Sequence, residues 1–180
     1  MKKLIKNFAV LFLIFFVFFT FSLSASAEKI LVTSIGQNPG GLMIKVVLNK
    51  LNLDFTYQSL IKSEEIEGYS TIILSVGCSQ KGLCAADSSF EEELQRTKRI
   101  VKKLKEENYQ VILVHLGGKL KRDEKSNELL SEVVPISSHF VITEESNNDN
   151  YFSNYSQEKN IELHMIDNLS KLETVFKEIF

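Results

Sequence analysis

Apolar residues occur in four short, nearly continuous runs that are rich in β-branched and aromatic side chains: 29–32, 71–76, 111–114 and 140–142. Continuous runs of this length are typical of central parallel strands, which helices cover on both faces. Two further runs, Asp54 to Leu60 and residues 161–165, alternate between apolar and polar side chains, a pattern that favours edge strands. The chain therefore predicts six strands.

Between the strands, the apolar residues take on helical spacing. Four such stripes begin at Leu42, Phe90, Leu129 and Leu169. Ser88, followed three residues later by Glu91, has the spacing of a capping box at the start of the second helix. Residues 63–67 predict a one-turn helix before a glycine break, and the polar stretch 144–154 is interpreted as a loop.

Strands that alternate with helices predict an α/β fold with a parallel sheet. We expect a single-domain, three-layer sandwich with a mostly parallel, flavodoxin-like sheet of strand order 2-1-3-4-5-6. This order has its switch point between strands 1 and 3. In open sheets of this class, ligands bind beyond the carboxyl ends of the strands, at the switch point.

The first 27 residues have the features of a signal peptide. Three lysines precede an uncharged stretch from Phe8 to Leu23, and the small residues Ala25 to Ala27 suit signal peptidase. We expect a mature domain at 28–180 that is secreted, periplasmic or associated with the cell envelope. It would contact a membrane only if the leader stays uncleaved.

Composition and charge narrow the function classes. The chain is 44% hydrophobic and 24% charged, which excludes disorder. Its net charge of −2 becomes −5 once the three leader lysines are removed, so we expect no nucleic-acid partner. We also expect no cofactor and no metal, because dinucleotide, Walker and H-E-x-x-H motifs are missing from the sequence.

The loop after strand 1 is rich in glycine, and its candidate ligand-binding residues are Gly36, Gln37, Asn38, Gly40 and Gly41. Asn38 suits the N-cap of the first helix and Pro39 its first helical position. Backbone amides at the start of a helix attract anions, so this loop is a candidate anion site. The alternative is a well-capped tight turn.

The loop after strand 3 contributes Ser79, Lys81 and Gly82 as candidate ligand-binding residues. Lys81 would neutralise an anion held by the first loop, or it is a solvent-facing lysine on a structural turn. Cys78 and Cys84 lie in the same segment, six residues apart, so a CxxC redox motif is excluded. A disulfide between them is possible in an exported protein.

His115, Gly117 and Gly118 follow strand 4 and are further candidates. His115 would bind an anion or act as an acid or base near neutral pH, or it is a hydrogen-bonded core histidine. After strand 5, Glu144 would hold a hydroxyl, an amine or a cation, or it belongs to a solvated acidic loop.

Taken together, these loops carry the motifs G-Q-x-P-G-G at 36–41, K-G-L-x-A-A at 81–86 and H-x-G-G at 115–118. With the signal peptide, this set resembles a family of small exported bacterial α/β proteins, a domain of unknown function. Cys84 stands where we would expect a glycine. The resemblance implies a site at these loops and no particular reaction.

The best interpretation is an exported protein that binds a small anionic molecule, a carboxylate or a phosphate ester, at the C-terminal edge of the sheet. One alternative is a small hydrolase or transferase that uses His115 as acid or base and Lys81 as an electrostatic stabiliser in the same crevice. Another is an envelope accessory protein whose loops contact a protein partner.

Overall fold

A computed structural model describes residues 29–107, 109–117 and 122–180. Six strands are present in this part of the chain: β1 (Ile30–Ile35), β2 (Phe55–Tyr57), β3 (Thr71–Val76), β4 (Gln110–His115), β5 (His139–Thr143) and β6 (Glu162–Ile166). Helices connect them: α1 (Gly40–Lys50), α2 (Gln80–Ala85), α3 (Phe90–Glu106), α4 (Glu124–Val133), α5 (Tyr151–Lys159) and α6 (Leu169–Ile179). Single 3-10 turns lie at Ser63–Glu65, Val134–Ile136 and Glu144–Asn147.

The strands form one sheet with the order β2-β1-β3-β4-β5-β6, and all neighbouring strands are parallel. This confirms the predicted α/β sandwich and its strand order. Every residue of β1 and β3 is buried, which explains why their sequences are continuously apolar rather than alternating. The topological switch point lies between these two strands, as expected.

Helices cover the sheet on both faces and bury two apolar clusters. On one face, α3, α4 and α5 pack on the sheet through residues such as Ile100, Leu129 and Phe152. On the other face, α1 and α6 contribute Ile44, Leu48 and Phe176. The sheet is therefore the middle layer of three. Among the described residues, no helix combines the length and the apolar character that crossing a membrane requires.

Several local predictions are wrong. β2 is only three residues long and lies at the edge of the sheet, although the Gln58 amide still donates to the Val32 carbonyl of β1. The capping box uses Ser89 and Glu92, one residue later than predicted, since the Ser89 side chain accepts from the Glu92 amide. The segments after β3 and β5, which were interpreted as loops, contain helices α2 and α5. Helix α5 has little amphipathic pattern, and Phe152 makes its buried contact with the core.

Candidate functional site

A cavity of about 280 Å³ opens where β1, β3 and β4 end, at the switch point of the sheet. Its wall comes from four segments of the chain and is formed by Asn38, Pro39, Gly40, Met43, Val76, Gly77, Cys78, Ser79, His115, Leu116, Gly117 and Asp123. Parallel strands place their carboxyl ends at one edge, so segments far apart in sequence meet there. Of the predicted residues, Asn38, Gly40, Ser79, His115 and Gly117 meet at this cavity.

His115 is the last residue of β4 and is 1% exposed. Its Nδ1 lies 2.7 Å from the carbonyl oxygen of Val76, at the end of the neighbouring strand. The imidazole also stacks on Phe152, with ring centroids 6.4 Å apart. In this contact Nδ1–H is the donor and the Val76 carbonyl oxygen is the acceptor. His115 is thus a hydrogen-bonded core residue that also forms part of the cavity wall.

Asn38 connects the ends of β1 and β3. Its Nδ2 donates to the carbonyl oxygens of Ser75 (2.7 Å) and Ile35 (3.2 Å). Its Oδ1 accepts from the Gly40 amide (2.9 Å) and from the Ser75 hydroxyl (2.8 Å). All of the ordinary donors and acceptors of the amide are therefore used within the protein. The N-cap residue of α1 is Pro39, one residue later than the predicted Asn38. The Asn38 side chain still accepts from the amide of Gly40, the first residue of the helix.

Replacing Asn38 by alanine should lower the free energy of unfolding by about 2–4 kcal/mol, because each lost partner leaves a sheltered backbone group unpaired. Urea denaturation followed by circular dichroism measures the change. Asn49→Ala is the matched control, since Asn49 is exposed near the other end of α1. If both variants unfold at the same urea concentration, Asn38 does not hold the two strand ends together.

The motif glycines allow the loops to approach each other. A Cβ atom on Gly36 would lie 2.3 Å from the Gly77 carbonyl oxygen, and one on Gly82 would lie 1.9 Å from that of Gln37. A Cβ atom on Gly40 would likewise lie 2.5 Å from the Ser75 hydroxyl oxygen. Real Cβ contacts are longer than 3.0 Å. The glycines are therefore explained by packing of loop against loop, without a ligand.

A buried ion pair on α3 anchors the loop after β1, and the sequence analysis did not predict it. Glu93 and Arg96 on α3 are 1% and 9% exposed. The Glu93 carboxylate accepts from the Gly36 amide at 2.7 Å and from the Arg96 guanidinium at 2.6 and 2.9 Å. The same guanidinium donates to the carbonyl oxygens of Ser34 and Ile61. An acid and an arginine three residues apart lie on one helix face, which was the only signal in the sequence.

The backbone amides of the glycine-rich loops already have acceptors. The Gly40 amide donates to Asn38, and the Gly36 amide to Glu93. Three backbone amides of the segment after β3 also donate. The Cys78 amide donates to the Ser126 hydroxyl, the Ser79 amide to the Gly36 carbonyl, and the Gly82 amide to the Ser79 hydroxyl. These five donors are thus committed to the fold and do not form a preorganised anion cradle.

Several predicted residues lie away from the cavity. Lys81 is exposed on α2, and Glu144 is exposed at the 3-10 turn after β5. The Gln37 side chain points toward α3, where its Nε2 lies 3.4 Å from both oxygens of Glu93. Gly36, Gly41 and Gly82 do not contribute to the cavity wall either. Gly118 lies outside the described residues.

Both cysteines are free thiols in the structure, so the possible disulfide is not formed there. Cys84 is exposed on α2, and Gln80 Nε2 lies 3.6 Å from its sulfur. Cys78 forms part of the cavity wall and is half-buried. Burial raises the pKa of the Cys78 thiol, and the nearby Asp123 carboxylate adds to the rise. Cys78 is therefore held as a neutral thiol rather than as an activated thiolate.

The architecture defines a class of protein: an open, parallel α/β sheet with a ligand-sized cavity at its switch point. Within that class, the chain belongs to the family described as Domain of unknown function (DUF6305), whose sequence profile matches residues 27–180. This confirms that the resemblance is to a domain of unknown function. No curated protein matches the sequence.

Solved structures overlap this chain only loosely. A GDSL-like lipase from Bacteroides thetaiotaomicron is 8% identical over 77% of this chain and 68% of its own, with a TM-score of 0.37. A protein provisionally described as an acylhydrolase, from Bacteroides fragilis, is 8% identical over 79% and 68%, with a TM-score of 0.38. A Thermoplasma acidophilum protein, provisionally described as a GMP synthase subunit, is 23% identical to this chain. The overlap covers 52% of this chain and 42% of that protein, with a TM-score of 0.37.

Proposed function

We propose that the protein is an exported binding protein that holds a small molecule in the switch-point cavity. The observation that carries this proposal is the cavity itself, about 280 Å³ in volume and built from four chain segments at the ligand-binding edge of the fold. Its wall combines apolar side chains, among them Met43, Val76 and Leu116, with a few polar groups. That combination suits a small organic ligand that carries one polar or charged group.

The charge that we propose for the ligand is negative. Helix α1 begins at the cavity, and a helix of its length carries a partial positive charge at its N-terminus. No acidic side chain lies in the first turn of α1, so no carboxylate of the helix itself offsets that charge. Helix α4 also begins there, but its N-cap residue Asp123 already supplies a carboxylate. A carboxylate or phosphate ester would therefore place its anionic group near Gly40, rather than near Asp123.

The enzymatic alternative is less well supported by the geometry. It required Lys81 beside His115, but Lys81 is exposed on α2 and does not contribute to the cavity wall. His115 is buried and directs its Nδ1 to the Val76 carbonyl. The geometry thus gives this histidine a structural partner and provides no second catalytic group from the predicted pair.

Filling the cavity should abolish binding without unfolding the protein. Met43 belongs to the cavity wall and is 37% exposed, so an indole at this position can occupy the cavity at little cost to the core. We expect Met43→Trp to lower affinity at least tenfold while leaving the melting temperature nearly unchanged. The control is Val46→Trp, on the same helix but outside the cavity wall, at a side chain that is 63% exposed.

The measurement is a native mass spectrum of protein recovered from the exported fraction, followed by thermal-shift titration with small carboxylates and phosphate esters. The expected mature chain begins at Glu28 and carries an adduct that is lost in Met43→Trp and kept in Val46→Trp. An adduct that survives in Met43→Trp would place the ligand elsewhere. A wild-type protein with no adduct, and with no stabilisation by any compound of the panel, would contradict the proposal.

A further inference from the structure

A cluster of three titratable side chains lies far along the sheet from the cavity, where edge strand β6 pairs with β5. His139 of β5 is the register partner of Glu162 of β6, and His164 follows two residues later on the same face. That face is the one covered by α6, since Ile166, the next residue on it, packs in the cluster with Leu172 and Phe176. β6 is an edge strand, so its pairing with β5 is the seam that attaches β6 to the sheet.

The Glu162 carboxylate lies close to both imidazole rings. Glu162 Oε2 lies 3.4 Å from His139 Nε2, and Glu162 Oε1 lies 3.1 Å from His164 Nε2. The two rings are nearly parallel, at 9°, with centroids 6.5 Å apart. The histidine side chains are 19% and 13% exposed, whereas that of Glu162 is 60% exposed. The rings are thus sheltered, and their shared counter-ion reaches solvent.

Among the described residues, the neighbouring elements bring no second counter-ion to the rings. The charges that act on His139 there are those of Glu162 and His164. Helix α6 faces the sheet with Leu172, Val175 and Phe176, while its charged side chains are Lys171, Glu173, Lys177 and Glu178. Of these, Glu173 is occupied by Lys50 and Lys177. Helix α5 packs on the opposite face of the sheet.

The cluster also differs from a metal site. Within the described parts of the chain, no group of three or more His, Cys, Asp or Glu side chains has the arrangement to hold a metal ion. Here the Glu162 carboxylate faces both Nε2 atoms. The chemistry that remains for this cluster is proton binding.

We propose that His139, Glu162 and His164 form a proton-sensitive latch that holds β6 and α6 to the sheet at neutral pH and loosens as the pH falls toward 5. When both rings are neutral, they lie against the carboxylate and carry no charge that burial penalises. One proton produces an imidazolium that Glu162 balances. The second proton places two sheltered positive charges 6.5 Å apart with one carboxylate between them, and opening the seam hydrates both.

The direction of the effect agrees with the environment of His139. Burial lowers its pKa from the ordinary value of 6.5, His164 lowers it further, and Glu162 partly opposes the shift. A histidine whose pKa is lower in the closed state binds more protons once the seam opens. The closed state is therefore fully favoured above pH 6.5 and loses stability as the pH falls below that value.

Hydrogen exchange of the full chain at pH 7.5 and pH 5.0, corrected for the intrinsic exchange rates, tests the latch. We expect protection of the β6 and α6 amides to fall at least tenfold at pH 5.0, while β1 and β3 change less than twofold. The double variant His139→Gln/His164→Gln retains side-chain donors but cannot titrate. Protection of its β6 and α6 amides should therefore fall less than twofold between pH 7.5 and pH 5.0.

Glu162→Gln provides an independent test at an exposed position where misfolding is not expected. Glu162 raises the pKa of His139, so without the carboxylate that pKa falls further in the closed state, and the loss of protection at pH 5.0 should exceed that of the wild type. A loss that is equal at both pH values would show a purely structural role and overturn the latch. So would unchanged protection in the wild type, or the same acid-induced loss in the double histidine variant.

Discussion

Glu93→Ala should lower the free energy of unfolding by about 3–5 kcal/mol, the expected cost of leaving one partner of a buried ion pair uncompensated. The variant removes the carboxylate that pairs with the Arg96 guanidinium, and Arg96 is 9% exposed. It also removes the acceptor of the Gly36 amide, at the start of the glycine-rich loop. Urea denaturation monitored by circular dichroism gives the difference directly.

Two further variants separate the charge from the hydrogen bonds. Glu93→Gln retains an acceptor for the Gly36 amide but not the negative charge, so its stability should lie between those of the wild type and Glu93→Ala. Glu91→Ala, at an exposed glutamate in the same helical turn, should change stability by less than about 0.5 kcal/mol. Equal stability of Glu93→Ala and Glu91→Ala would show that the ion pair does not anchor the loop.

Gly82→Ala is the second change with a large expected effect, a loss of about 3 kcal/mol or more. Alanine normally stabilises a helix by about 1 kcal/mol relative to glycine, so helix propensity alone predicts the opposite sign. On α2, however, the new methyl group would lie 1.9 Å from the Gln37 carbonyl oxygen. That oxygen belongs to the backbone, so relief requires the first loop or α2 to move.

Lys81→Ala is the matched control for this variant, because Lys81 is the preceding residue of α2 and is exposed. We expect it to leave the melting temperature within about 1 °C of the wild type, since surface substitutions change stability little. Because Lys81 lies outside the cavity wall, it should also leave ligand affinity unchanged. A stable Gly82→Ala protein would show that the close approach of the two loops is not required.

Local patterns were sufficient for the framework of the fold. Buried parallel strands need apolar side chains on both faces, so β1, β3, β4 and β5 are visible as continuous runs. Strands that alternate with helices then restrict the topology to a few possibilities, of which the predicted order is confirmed. The pattern failed at α5, whose polar and aromatic residues lack a clear amphipathic stripe, and at β2, where an edge position shortens the strand.

The position of the cavity was predictable, but the side chains that form its wall were less so. The switch-point rule correctly indicated that the loops after β1, β3 and β4 converge, and a cavity lies there. The rule says nothing about which side chains face the cavity. Lys81 and Gln37 were attractive candidates because of their charge or polarity, yet one is exposed on α2 and the other points toward α3.

By itself, then, the sequence determined the parallel α/β sheet, its strand order and the edge at which the loops after β1, β3 and β4 converge, because these follow from hydrophobic periodicity and chain connectivity. Only the tertiary structure decided what the polar and glycine residues of that edge do. Asn38 and Glu93 satisfy backbone groups from distant segments, and Gly36 and Gly82 permit backbone contact between loops. These partners lie up to 57 positions apart in the chain, so local sequence carries no signal of their contact.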